Sequence, residues 1–115
     1  MRNLVLRGGF VIAEIRLTSQ LLLDPLGQPA AAQTLIRGSR FYISLRHDLN
    51  ETELSVSLYH EVLEAATVAT EHPPKPVMEL NEGDFERAAR SAHARLGVAP
   101  AERLNQMLAE FGFKD

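Results

Sequence analysis

Residues 41–69, FYISLRHDLNETELSVSLYHEVLEAATVA, decide the fold of this chain because a strand, a short turn and a long helix follow one another in them. The first six residues alternate apolar and polar side chains, which is typical of a half-buried strand. Asn50 or Thr52 is placed to cap a helix that begins at ETEL and runs to about residue 70. The prolines that follow cannot continue that helix.

Further strands are predicted upstream of this segment. Residues 10–17, FVIAEIRL, alternate partly and follow a glycine pair, and strict alternation would place Ile12 and Arg16 on one face. Residues 33–36 and 41–46 are two β-rich runs around a glycine-containing turn, which predicts a hairpin. We therefore expect a small antiparallel sheet in the first half of the chain.

Two more helices are predicted downstream. Asn81 or Asp84 can cap a helix over about residues 84–96, and Gly97 then stands in the usual position after a helix end. Pro100 suits the first turn of a third helix that runs to about residue 111.

The order of strands followed by helices predicts an α+β fold. We expect one domain over residues 1–115, strand-rich in 1–47 and helical in 50–115, because this length suits an ordinary single domain. The small sheet should pack against the long helix of residues 51–70 and the two helices that follow it.

The composition narrows the classes of function. Hydrophobic residues make up 45% and charged residues 23%, as in an ordinary globular protein, and the net charge of −3 argues against a nucleic-acid partner. No apolar run suits a membrane helix, and the first residues lack the features of a signal peptide, so a cytoplasmic location is expected. The absence of cysteine excludes disulfides and thiolate zinc sites.

The long helix carries an unusually wide apolar surface, an arc of roughly 200° on a helical wheel, so it should be central rather than peripheral. The remaining polar stripe contains HEVLE, residues 60–64. His60 and Glu64 are four residues apart, so their side chains lie on one face, about 5–6 Å apart at Cβ, and could share a cation. Glu61 lies close enough to act on water beside that cation.

This segment resembles the core of zincin-type metallopeptidases, in which a strand and a short loop precede a helix with an HExxH motif. It is most similar to small bacterial zincin domains of the ImmA/IrrE type. The resemblance spans about residues 33–96 and includes the alanine-rich segment ERAARSA, which begins at Glu86 within the second predicted helix.

The resemblance implies a metal site with one replaced ligand. His60 would be the first metal ligand and Glu61 the catalytic base, while Glu64 stands where the family places its second histidine. Glu86 or Glu82 would be the third ligand. A single histidine with carboxylates is an uncommon zinc set, and manganese or magnesium suits it as well. From the residues alone, Glu79 and Asp84 are also open as the third ligand.

Two functions follow from these observations. The first is a zincin-like metal-dependent peptidase, with zinc the most expected metal and a protein or peptide as substrate. The second is an inactive zincin-like scaffold that works as a protein-interaction or regulatory module, which the missing second histidine favours. Pairing of Glu64 with Arg87 or Arg90 would indicate a structural ion pair, whereas an open groove at Glu61 and Glu64 would indicate a metal site.

Overall fold

A computed structural model of the chain describes residues 4–24, 26–99 and 102–113. Within these residues the elements are, in chain order, β1 (Leu4–Val5), β2 (Val11–Thr18), β3 (Ala32–Arg37), β4 (Arg40–Arg46), α1 (Glu51–Ala69), a short 3-10 helix (Lys75–Val77), α2 (Glu82–Leu96) and α3 (Glu102–Glu110). The strands form one sheet and the helices follow it, so the predicted α+β class is confirmed.

The sheet is mixed rather than wholly antiparallel, which corrects the prediction. Its strand order is β1-β2-β4-β3, and β2 pairs with β4 in parallel while the other pairs are antiparallel. The predicted β3–β4 hairpin forms, but β4 turns back into the centre of the sheet. Burial explains this order: Phe41, Ile43 and Leu45 of β4 are at most 1% exposed, whereas β3 alternates between half-buried and exposed residues. The more apolar strand therefore takes the central position.

A β-bulge in β2 changes which side chains face the helices. The pairing with β4 shifts by one residue between Ile12 and Glu14, so Ile12 and Ala13 are both buried. Beyond the bulge Arg16 lies opposite Ser44, on the face away from the core, whereas Ile12 lies opposite the buried Phe41. The strict alternation predicted for this strand is wrong because one extra residue reverses the facing of all that follow.

Helix α1 is the centre of the fold, as its wide apolar arc predicts. It packs against β3, β4, α2 and α3. Its buried side chains are Ser55, Val56, Leu58, Tyr59, Val62, Leu63, Ala65 and Ala66. Tyr59 also donates a hydrogen bond from its hydroxyl to the Gly97 carbonyl at 2.7 Å, which ties α1 to the residues that follow α2.

The start of α1 is set by Asn50, whose side-chain oxygen accepts a hydrogen bond from the Glu53 amide at 2.8 Å. We expect Asn50→Ala to lower the free energy of unfolding by about 1 kcal/mol, because an amide of the first turn loses its acceptor. Asn50→Asp keeps an acceptor and should stay close to the parent protein. Chemical denaturation of the three proteins checks this, and equal loss in both variants would contradict the capping role.

Helix α2 begins two residues earlier than predicted, at Glu82. Asn81 and Asp84 form a reciprocal capping box, in which each side chain accepts a hydrogen bond from the other's backbone amide at 2.9 and 3.1 Å. Asn81 is therefore the cap, and Glu82 belongs to the first turn. The predicted start of the third helix at Pro100 lies outside the described residues.

Candidate metal centre

Three side chains on the polar stripe of α1 form a group that could hold a metal ion. His60, Glu61 and Glu64 each offer one donor atom, and these atoms lie within 4.8 Å of one another. All three side chains are half-buried. The i, i+4 spacing brings His60 Nε2 within 3.7 Å of a Glu64 oxygen, as the helical wheel predicts.

Helix α2 adds Glu82 and Glu86 at opposite sides of the same imidazole. Glu82 Oε2 lies 3.2 Å from His60 Nε2, and Glu86 Oε1 lies 2.8 Å from His60 Nδ1. Glu64 and Glu82 therefore share the Nε2 side of the ring, whereas Glu86 occupies the Nδ1 side. The two third ligands that the resemblance implies, Glu82 and Glu86, thus both lie at His60, but at different ring nitrogens.

The carboxylate of Glu61 is hydrogen-bonded to the sheet. The Thr34 hydroxyl of β3 donates a hydrogen bond to Glu61 Oε1 at 2.7 Å. Burial raises the pKa of Glu61, and its neighbour Glu64 adds to that effect, while the Thr34 hydrogen bond and the charge of His60 oppose it. The net result is a carboxylate that binds a proton more readily than an ordinary glutamate.

Contacts within the cluster raise the pKa of His60 and of Glu82 and lower the pKa of Glu64. Burial disfavours the charged imidazole of His60, but hydrogen bonds with Glu64 and Glu86 and the nearby negative charges outweigh it and raise its pKa to about 9. The hydrogen bond that Glu82 shares with Glu64, together with burial, raises the pKa of Glu82 to about 7. The hydrogen bond from His60 lowers the pKa of Glu64. Without a metal, protons therefore offset part of the negative charge.

This proton binding predicts a pH dependence of stability for the metal-free protein. The folded-state pKa of His60 lies above its ordinary value of 6.5, so its contribution is fully present below pH 6.5 and is lost as the pH rises through about 9. We expect the free energy of unfolding to fall between pH 7 and pH 9 in the presence of a chelator, and to fall less in His60→Gln. Equal slopes for the two proteins would contradict the protonated imidazole.

The cluster opens into a cleft of about 460 Å³ between β3, α1 and the start of α2. Its lining includes the carboxylates around His60. The lining also includes apolar side chains from the segment before β3 and from the last turns of α1, namely Leu23, Pro29, Ala30, Ala31, Ala65 and Val68. The acidic cluster therefore faces a groove with both polar and apolar walls.

The arginines of α2 bind other carboxylates than Glu64. Arg90 makes a two-point ion pair with Glu53 at 3.1 Å and contacts Glu86 at 2.8 Å. Arg87 pairs with Asp84. Within residues 4–24, 26–99 and 102–113, no arginine forms an ion pair with Glu64. The observed arrangement is therefore the open groove, and the Arg90–Glu53 pair connects α2 to α1.

Thr34 is a residue of the candidate site that the sequence did not predict. It is separated from Glu61 by 27 residues, and its one signal is its place in β3, between the half-buried Ala32 and Ile36. Asp84, open as a ligand in the sequence, is engaged in the capping box and with Arg87.

His93 does not join the cluster of acids. Its Nδ1 lies 2.8 Å from the buried Ser55 Oγ instead.

Comparisons of the chain with family models, curated proteins and solved structures find no significant match. Among the described residues, no helix is long and apolar enough to cross a membrane.

Proposed function

We propose that this chain is a small zincin-like, metal-dependent peptidase. Its divalent cation would be held by His60 Nε2, Glu64 and Glu82, with Glu61 as the catalytic base. The observation that carries the proposal is the convergence of these four side chains, from two helices, on one open groove beside an edge strand.

The donor atoms suit a divalent cation. An imidazole nitrogen and carboxylate oxygens are ligands that zinc accepts, and the carboxylate share also suits manganese. The pKa of Glu82 is raised by its neighbour Glu64, which marks a position where positive charge is favourable. Zinc is the metal we expect first, because the HExxE motif differs from the zinc-binding HExxH pattern at only one ligand position and keeps the others.

Glu86 is better suited to orient His60 than to bind the metal. Its oxygen accepts from Nδ1, the ring nitrogen opposite the one that faces Glu64 and Glu82. A carboxylate on the second nitrogen fixes the tautomer and the orientation of a ligating histidine. Arg90, 2.8 Å from the other Glu86 oxygen, holds that carboxylate in place.

The proposed chemistry is hydrolysis of a peptide bond. A divalent cation at such a site polarises a carbonyl and lowers the pKa of water. Glu61 would take the proton from the attacking water and deliver it to the leaving amine, because its carboxylate lies beside the proposed ligands and its pKa is raised. Thr34 would keep the Glu61 carboxylate pointed into the groove.

Strand β3 offers a way to bind an extended peptide. Within the described residues it pairs only with β4, so its other edge is open. The Arg46 amide donates to the Ala31 carbonyl at 2.9 Å, and alternation then turns the backbone groups of Ala32, Thr34 and Ile36 to the open edge. A peptide added as a further strand there would run along the groove beside Glu61.

The second candidate function is a non-catalytic protein-interaction module with the same groove. It is favoured by the single histidine of the motif and by the carboxylates at both nitrogens of His60, which form a hydrogen-bonded cluster that is already satisfied without a metal. In this case a partner peptide would bind without being cut.

The experiment that separates the two functions is an activity assay on untagged protein. The chain is loaded with Zn²⁺ or Mn²⁺ and incubated with a mixture of unstructured peptides, and new termini are identified by mass spectrometry. We expect metal-dependent cleavage that a chelator abolishes. Stoichiometric metal without cleavage would favour the interaction module, and failure to bind either metal would overturn the peptidase.

A further inference from the structure

We propose a second binding surface, on the face of the sheet opposite the helices, that takes an acidic segment of a partner protein. We call this surface the outer face. It is formed by outward side chains of β2, β3 and β4, among them Glu14, Arg16, Gln33, Leu35, Arg37, Arg40, Tyr42, Ser44 and Arg46. It does not depend on the metal centre, which lies on the helical side.

The strand register places these side chains in rows across the sheet. Glu14, Tyr42 and Leu35 lie opposite one another on β2, β4 and β3. The next row along β4 holds Arg16, Ser44 and Gln33, in the same strand order. The helices pack on the other face, where Phe41, Ile43 and Leu45 are buried, so no described element covers the outer face.

The outer face is rich in arginine although the chain is acidic overall. The net charge of the chain is −3, yet four of the outward side chains named above are arginines and one is a glutamate. Arg46 is neutralised by a two-point pair with Asp48 at 3.0 Å. Among the residues the structure describes, neither Arg16 nor Arg37 pairs with a carboxylate, and Arg16 donates only to Ser44 Oγ at 3.1 Å. Two guanidinium groups are thus available to partner carboxylates.

Apolar and hydroxyl groups lie between these cations. Leu35 is 51% exposed and is the cross-strand neighbour of Tyr42, whose hydroxyl receives a hydrogen bond from Arg40 at 3.4 Å. A shallow cavity of about 470 Å³ is lined by this pair together with Arg16 and Arg37. Exposed aliphatic and aromatic surface flanked by arginine is typical of protein interfaces.

These features favour an acidic protein segment over a nucleic acid. The outer face offers one aromatic ring, whereas single-stranded nucleic acids bind to several stacked aromatic platforms. The carboxylates of α1 and α2 give the rest of the molecule a charge that opposes a long polyanion. A short acidic segment that also carries apolar side chains suits this face, on which Arg16, Leu35 and Arg37 lie together.

The test uses the full chain and a fluorescein-labelled peptide of Glu and Leu in a non-alternating order, with binding followed by anisotropy at low salt. Arg16→Gln/Arg37→Gln removes the two unpaired charges. Arg87→Gln/Arg103→Gln removes two charges from the helical side and is the matched control. We expect about tenfold weaker binding or more in the first double variant, and less than about twofold change in the second. Thermal unfolding verifies that both double variants are folded. If Arg16→Gln/Arg37→Gln is not folded, the single variant Arg37→Gln replaces it in the binding assay.

Three results would overturn the proposal. The first is no binding of the Glu-Leu peptide, and the second is equal weakening in the two double variants. The third is tighter binding of single-stranded oligo(dT) than of the peptide, with the same dependence on Arg16 and Arg37, which would assign the face to nucleic acid. An unlabelled Lys-Leu peptide should not compete, because it repeats the charge of the face.

Discussion

Glu61→Gln is expected to lower the rate of peptide hydrolysis by about 10²–10⁴-fold while the bound metal stays at its original stoichiometry. The amide has the shape of the carboxylate and can still accept the hydrogen bond from Thr34, but it cannot take a proton from water. Steady-state kinetics on a peptide identified as a substrate, with metal analysis of both proteins, measure the effect.

Glu71→Gln is the control for this variant. Glu71 is exposed and follows α1, and it makes no contribution to the groove. The same loss of charge should leave the rate unchanged there. A Glu61→Gln protein that keeps its activity would contradict the assignment of Glu61 as the base, and one that loses its metal would make Glu61 a ligand instead.

His60→Ala is expected to lower the affinity for zinc by more than about 100-fold, because it removes the nitrogen ligand of the proposed site. Glu64→Ala should weaken zinc binding as well. Glu86→Gln should have a smaller effect, about 10–100-fold, since Glu86 contacts Nδ1 and would only orient the ring. Competition with a chromophoric chelator ranks the three variants.

The ranking of these variants separates a ligand from its support. If Glu86→Gln weakens zinc binding as much as His60→Ala, then Glu86 is itself a ligand, as the resemblance to zincin domains allowed. If all three variants bind zinc like the parent protein, the cluster around His60 is not a metal site.

Local sequence patterns predicted the elements well, because caps and periodicity act over a few residues. Asn50 and Asn81 cap their helices with side-chain hydrogen bonds to amides three residues on, and both were among the predicted caps. The apolar arc of α1 predicted its central position for the same reason. The α+β class follows from the order of these elements.

The arrangement of the sheet could not be predicted in the same way. Whether β4 or β3 takes the centre depends on burial across the whole sheet, and an antiparallel meander satisfies the local pattern equally well. The only trace of the bulge in the sequence is that Ala13, an apolar residue, breaks the alternation of apolar and polar side chains along β2. The bulge decides, nevertheless, that Arg16 belongs to the outer face.

The candidate site was predicted as far as one helix could show it. The spacing of His60 and Glu64 fixes their proximity within α1, but the positions of Glu82 and Glu86 depend on how α2 packs against α1. With Asn81 as the cap of the capping box, α2 begins at Glu82 rather than at the predicted Asp84. The Glu82 carboxylate therefore belongs to the first turn of α2 and lies at Nε2 of His60. Thr34 comes from a distant strand, so no spacing could have paired it with Glu61.

The central claim is that a divalent cation binds at Nε2 of His60 in the groove beside β3. Anomalous diffraction at the zinc absorption edge, from crystals grown with Zn²⁺, tests it most directly because it locates the metal. We predict one strong peak within ligand distance of His60 Nε2 and of oxygens from Glu64 and Glu82. A groove without a peak in crystals that hold zinc elsewhere, with His60 still bonded to its glutamates, would contradict the account.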